Sequence, residues 1–138
     1  MTLFLADTSA WNRSNSTDEI RDRWLELQDR GELAVCAPVS LELLYSARGP
    51  KDYTAMKDEL AGFPYLRLNE LAVSAARRAQ DGLARRSRHR GPVPTDLLVA
   101  GIAEGNGATL LHYDRHFEAI ARVTGQPSEW LASPGSIP

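Results

Sequence analysis

The stretch Gly107-Ala108-Thr109-Leu110-Leu111-His112-Tyr113-Asp114-Arg115-His116-Phe117 decides the fold. A glycine opens a short apolar run, the run ends at an acid, and a helical pattern follows from His116 to Thr124. A run of this length between such signals predicts a strand buried on both faces, as strands of parallel sheets are. Residues 2–6 follow the same plan and end at Asp7. Further short strands are expected at 33–37, closed by Pro38, at 65–68, and at Trp130-Leu131 before a Pro/Gly/Ser tail. Helical patterns lie between them. Ser16 and Glu19 form a capping-box pattern, and Ile20, Trp24 and Leu27 make an apolar stripe, so residues 18–30 are expected to be helical up to a stop at Gly31. A helix is expected at 40–47, and another after Pro50 with Tyr53, Met56 and Leu60 on one face. A long Ala/Arg-rich helix is expected from Glu70 to about Arg88. Beyond the break at Gly91-Pro92-Val93-Pro94, Thr95 caps a helix over 96–104. Strands that alternate with helices imply βαβ units. The expected fold class is α/β: a central, mostly parallel sheet of four to five short strands flanked by helices. Residues 1–138 are expected to form a single domain, without internal repeat or linker.

Composition excludes several classes. Of 138 residues, 43% are hydrophobic and 25% charged, which is ordinary for a globular chain and unlike a disordered one. No stretch approaches the roughly 18 apolar residues of a membrane span. The start has no basic region and meets Asp7 early, so no signal peptide is expected and the chain is placed in the cytoplasm. One cysteine, Cys36, excludes an intramolecular disulfide framework and a cysteine zinc site, and an inert role as a small hydrophobe is expected for it. The formal net charge of -2 argues against a nucleic-acid partner, but the charge is uneven. Residues 70–90 carry 6 basic and 2 acidic groups, whereas the flanking segments are both acidic.

Two acids stand directly after strands, Asp7 and Asp114, where open α/β sheets bind their ligands. Asp96 lies in the first turn of a helix, and Glu42 one turn into another. Each is flanked by apolar residues, as in Ser40-Leu41-Glu42-Leu43-Leu44 and Thr95-Asp96-Leu97-Leu98. Each also has a structural reading: an Asx-turn for Asp7, a solvated helix position for Glu42, a favourable first-turn acid for Asp96 and a helix N-cap for Asp114. Four converging carboxylates would repel one another and raise their pKa values. A divalent cation relieves that conflict, and oxygen-only ligands select hard ions such as Mg²⁺ or Mn²⁺. Such ions suit phosphodiester hydrolysis.

Asp7-Thr8-Ser9-Ala10-Trp11, Glu42, Pro94-Thr95-Asp96-Leu97-Leu98-Val99-Ala100 and the stretch from Gly107 to Phe117 together resemble the PIN-domain ribonucleases, and among them the VapC-type toxins of bacterial toxin–antitoxin pairs. The likeness runs in order to Gln126-Pro127-Ser128-Glu129-Trp130-Leu131. It implies an Mg²⁺ or Mn²⁺ site, endonucleolytic cleavage of RNA such as tRNA or rRNA, a homodimer and a cognate VapB-type antitoxin. Carried across, the acidic quartet is Asp7, Glu42, Asp96 and Asp114. Asp7, Asp96 and then Asp114 would be direct metal ligands, and Glu42 would position the attacking water or a second ion. Thr8 or Ser9 would hydrogen-bond Asp7 or the scissile phosphate. Many family members carry a further acid or amide two positions after the fourth acid, where this chain has His116, which leaves the number of ions open.

Arg85, Arg86 and Arg88 are either a solvated helix end or a phosphate-binding rim, because arginine suits bidentate phosphate contacts. His112 and His116 flank Asp114 and raise a metal or general-base reading. Trp11, Trp24 and Trp130 are expected in the core or at a dimer interface. A haloacid-dehalogenase-type phosphatase would need a second Asp two residues after Asp7, where Ser9 stands, and a lysine beyond Lys57, where none follows. A phosphoacceptor receiver domain fails for the same missing lysine. Two alternatives stay open: a catalytically silent binding module of the same fold, and a housekeeping nuclease without a toxin role.

Overall fold

A computed structural model describes residues 2–138. Its elements, in chain order, are β1 (Phe4–Ala6), α1 (Thr8–Trp11), α2 (Asp18–Asp29), β2 (Leu33–Cys36), α3 (Ala37–Tyr45), α4 (Pro50–Leu60), β3 (Tyr65–Leu66), α5 (Glu70–Arg85), α6 (Pro94–Gly105), β4 (Thr109–His112), α7 (Arg115–Thr124) and β5 (Ser128–Trp130). The strands form one sheet in the order β3-β2-β1-β4-β5. Every neighbouring pair is parallel, with Phe4 opposite Leu33 on one side and Thr109 on the other. The α/β class and the parallel sheet expected from the sequence are therefore what the chain forms. β1 is the central strand, and Leu5 and Ala6 are wholly removed from solvent.

Several boundaries differ from expectation, each for a local reason. α2 is capped by the Thr17 hydroxyl, which accepts from the Ile20 amide at 3.1 Å, and not by Ser16. β2 ends at Cys36 and α3 starts at once, with Pro38 inside its first turn, where a missing N–H costs nothing. The long arginine-bearing helix stops at Arg85 instead of near Arg88. Ser87 takes a left-handed φ of 57°, and the Arg88 amide turns back to the Leu83 carbonyl at 2.8 Å. With the Ser87 amide on the Ala84 carbonyl at 2.9 Å, this is a Schellman ending. α6 begins at Pro94, two residues earlier than expected, and its cap position is Val93 rather than Thr95. The last strand is Ser128–Trp130, not Trp130-Leu131. α1 has no counterpart among the expected elements; a single turn is too short to show periodicity.

α5 and α6 form the tightest helix pair. α5 presents Ala72, Ala75, Ala76, Ala79 and Leu83 as its buried stripe, and α6 answers with Gly101 and Gly105. A Cβ on Gly101 would lie 2.4 Å from the Ala72 carbonyl oxygen, and one on Gly105 would lie 2.9 Å from the Ala72 amide nitrogen. These are backbone atoms that cannot step aside, so α6 lies against α5 only because these positions lack side chains. The contact fixes the height of α6, and with it Asp96 in the first turn.

Gly101→Ala should therefore cost about 2 kcal/mol or more, toward the upper end of overpacking effects. Equilibrium urea unfolding will measure it, and a variant as stable as the parent would contradict the close approach.

Candidate functional site

The sheet order reverses direction at β1. The chain leaves β1 toward β2 on one side, while β4 lies on the other, and ligands of open α/β sheets bind at such a point beyond the carboxyl ends of the strands. Asp7 and Asp114 stand on either side of this opening. The two strand exits are stitched together: the Asp7 amide donates to the Leu111 carbonyl at 2.9 Å, and the Tyr113 amide to the Ser9 hydroxyl at 2.9 Å.

Three of the four predicted acids sit at helix N-termini. Asp7 caps α1 and accepts from the Ser9 amide at 3.0 Å; Asp114 caps α7 and accepts from the His116 amide at 2.9 Å. Asp96, in the first turn of α6, accepts from the Val93 amide at 3.2 Å. The structural readings of these acids and their functional readings are thus the same geometry. Each amide holds a carboxylate in one orientation near the positive end of a helix, leaving oxygen lone pairs free.

Asp96, Asp114 and His116 form a compact group whose ligand atoms all lie within 4.8 Å of one another, and which could hold a metal ion. The His116 Nδ1 is 3.5 Å from Asp96 Oδ2 and 3.8 Å from Asp114 Oδ1. Asp7 is only 6% exposed. Burial pushes its carboxyl above the usual range, the amides and hydroxyl around it pull back, and the charge of Asp114 adds to the rise. Burial also raises Asp96, and the charges of Asp7 and Asp114 add to that rise while His116 opposes it. The three aspartates therefore act on one another across the opening. Glu42 is exposed and outside the compact group; its Oε1 accepts from the Thr8 hydroxyl at 3.2 Å. It still faces the same corner. The Cys36 thiol is pushed up to about 11, by burial first and then by the charges of both Asp7 and Glu42, against the Val39 amide.

The two histidines separate. His112 is buried, its Nδ1 accepts from the Asp114 amide at 3.2 Å, and its ring packs on Phe117 and Trp130. Burial lowers its pKa against the pull of Asp114 and Glu118. It shapes the turn that presents Asp114 and stays out of the acid group. His116 belongs to that group, and its sequence signal is its position two residues after a strand-end acid. Arg86 and Arg88 lie at the end of α5 and in the turn that follows, and Arg88 borders a cavity shared with His116. Arg85 is exposed at the helix end. Arg115 and Arg122, which no sequence pattern singles out, border the same cavity.

The arrangement offers oxygen donors and one imidazole around an incompletely compensated negative centre, a donor set that suits a hard divalent cation. A family model described as the PIN domain matches residues 4–123. The chain is similar to Ribonuclease VapC18 of Mycobacterium tuberculosis, 35% identical over 137 residues, which cover 98% of this chain and 99% of that one. It is similar to Ribonuclease VapC51 of the same organism, 36% identical over 97% of this chain and 96% of that one. Among solved structures, a DNA-bound VapBC from Salmonella typhimurium matches with a TM-score of 0.75 at 20% identity, covering 96% of this chain and 100% of that one. VapBC2 from Rickettsia felis, bound to a promoter DNA fragment, matches with a TM-score of 0.77 at 17% identity, covering 94% and 98%. At such identities the structural likeness shows a shared fold.

The raised carboxyls set a pH dependence. A folded-state pKa above the unfolded value adds stability that is complete below the unfolded value and lost as pH rises through the folded one. In a chelator, Asp7→Asn should therefore stabilise the protein at neutral pH, with the advantage fading below the ordinary carboxylate range. Thermal unfolding from pH 3 to 8 will measure it; a constant difference across that range would contradict the charge conflict.

Proposed function

The chain belongs to the PIN-domain family, and from that premise we propose that it is a VapC-type toxin, a metal-dependent endoribonuclease that hydrolyses phosphodiester bonds of RNA, with tRNA or rRNA as the substrate class. The observation that carries this reading is the group of Asp96, Asp114 and His116 within 4.8 Å, with the buried Asp7 acting on it across the switch point. In the proposed site Asp7, Asp96 and Asp114 would hold Mg²⁺ or Mn²⁺, which would supply Lewis-acid polarisation and water activation at neutral pH. Thr8 steadies Glu42, which orients the attacking water. Ser9 ties the Asp7 turn to the Asp114 turn, so the two strand ends cannot drift apart. Arg86 and Arg88, with Arg85 at the helix end, form the phosphate-facing rim. Its affinity falls steeply with salt.

A VapB-type antitoxin is the proposed partner, and its support is the face of α3. Leu41 is 69% exposed and Tyr45 92% exposed, one helical turn apart and beside Glu42. Large apolar groups left in water beside a catalytic acid suit a segment that covers both. A homodimer and a cytoplasmic location complete the proposal. No helix among the described residues is long and apolar enough to cross a membrane.

Incubation of the protein with tRNA and rRNA in Mg²⁺ or Mn²⁺ should give endonucleolytic fragments, and EDTA should prevent them. Asp7→Ala and Asp96→Ala should each lower the rate by about 100-fold or more, the scale seen when one group stabilising the reacting charge is removed. Absence of metal-dependent cleavage would favour a silent binding module. Cleavage without growth arrest on expression would favour a housekeeping nuclease.

A further inference from the structure

Two cavities adjoin beside the acid group, between α7 and the turn at residues 86–92. One, of about 330 Å³, is bordered by Arg88, Pro92, Arg115, His116, Ala119 and Arg122. The other, of about 400 Å³, shares Arg88, Ala119 and Arg122 with it and adds Arg86. Their sizes fall at the low end of ligand cavities, which run from roughly 300 to 1,000 Å³. Pro92 is buried and forms, with Ala119, an apolar floor. The arginines are exposed at the rim, and the acid among the lining residues is Glu118, bound to Arg122 at 3.3 Å. At one end stands His116, which also touches Asp96 and Asp114. Arg115 borders this groove and a further cavity, which Tyr113, Asp114 and Trp130 also line.

An apolar floor under a rim of guanidinium groups matches the chemistry of one nucleotide. The sugar and base leave water, and the phosphates meet planar, permanently charged donors. Continuity through His116 places such a nucleotide next to the bond to be cut. Resting on the ribonuclease reading above, we propose that this groove is a subsite for an unpaired nucleotide flanking the scissile phosphate, with Arg88, Arg115 and Arg122 holding its phosphates and Pro92 and Ala119 receiving its sugar and base. A duplex does not fit, because its bases are stacked and paired away from such a floor. The subsite accordingly selects single-stranded RNA.

The test uses the full chain, an unpaired RNA oligonucleotide and its methylphosphonate derivatives, each lacking one phosphate charge. Arg88→Ala, Arg115→Ala and Arg122→Ala are compared with Arg30→Ala, which removes a charge at the end of α2 and borders neither cavity. Each groove variant should raise the RNA concentration for half-maximal single-turnover cleavage about tenfold, a binding loss of about 1.4 kcal/mol. Cleavage at saturation should stay within threefold. The slope of log affinity against log salt should fall by about 0.7 per lost contact, and Arg122→Lys should recover part of the loss. One methylphosphonate position should weaken the parent while leaving Arg122→Ala indifferent, which a merely structural role would not produce. Groove variants that match Arg30→Ala overturn the subsite and leave the nuclease reading standing. So do groove variants that bind RNA normally and lose only their inhibition by a partner protein. If the parent cuts no RNA, the nuclease reading fails; anisotropy of the labelled oligonucleotide then decides the subsite by the same comparison.

Discussion

The rest of the molecule depends on one opening, the gap beyond β1 and β4 where the sheet changes direction. β1 is covered on both faces and paired on both edges, so its chain can do nothing polar until it leaves the sheet. When it does, the first group it presents is a carboxylate in a place that water barely reaches. β4 leaves beside it and presents a second, and the first turn of α6 brings a third. Three helices begin at this rim. Their amides hold the acids in fixed directions, and their positive ends partly offset the negative charge gathered there.

The offset is incomplete. Burial and mutual repulsion leave Asp7 and Asp96 holding protons more tightly than ordinary carboxyls, so the folded chain carries a local conflict that a simpler set of residues would avoid. Such conflicts persist where the surrounding structure over-determines them, and they concentrate at functional sites. Here the surroundings are the Ser9–Tyr113 tie, the His112 contact under the Asp114 turn, and the α5–α6 seam that no side chain separates. The nearby cations are set back along the groove rather than inside the acid group. That division keeps a centre suited to a cation apart from a rim suited to an anion.

Much of this is legible in the sequence because period and punctuation carry it. Short apolar runs ending in acids mark β1 and β4 and place both acids at carboxyl ends of strands. That the two strands flank a switch point is set by the sheet order, which the alternation of strands and helices does not give. The boundaries that differ share a cause. The end of α5 turns on a left-handed Ser87, and the start of α3 on a proline that reads equally well as a stop or as a first-turn residue; neighbours decide such positions, not pattern. The acids stand out because strand ends are where ligands bind. Their individual roles are less legible: Glu42 meets Thr8 rather than the other three acids, and the histidines divide by burial, which no local pattern reports. Arg115 and Arg122 escape a reading of the sequence because isolated arginines on a helix look solvated until the fold sets them beside Arg88. The net charge of -2 conceals both the acidic centre and its basic margin.

The pairing of Phe4 with Thr109 and of Ala6 with Leu111 has a consequence in time. The strand that completes the surroundings of Asp7 is made about a hundred residues after it, and Tyr113 closes on the Ile137 backbone later still. A parallel pairing this distant in sequence cannot form before β4 is made, and its loop-closure entropy is met late in folding. Until β4 is made, the nascent polypeptide therefore carries Asp7 without the completed acid group it acts on. The acid group assembles only once β4 has joined β1.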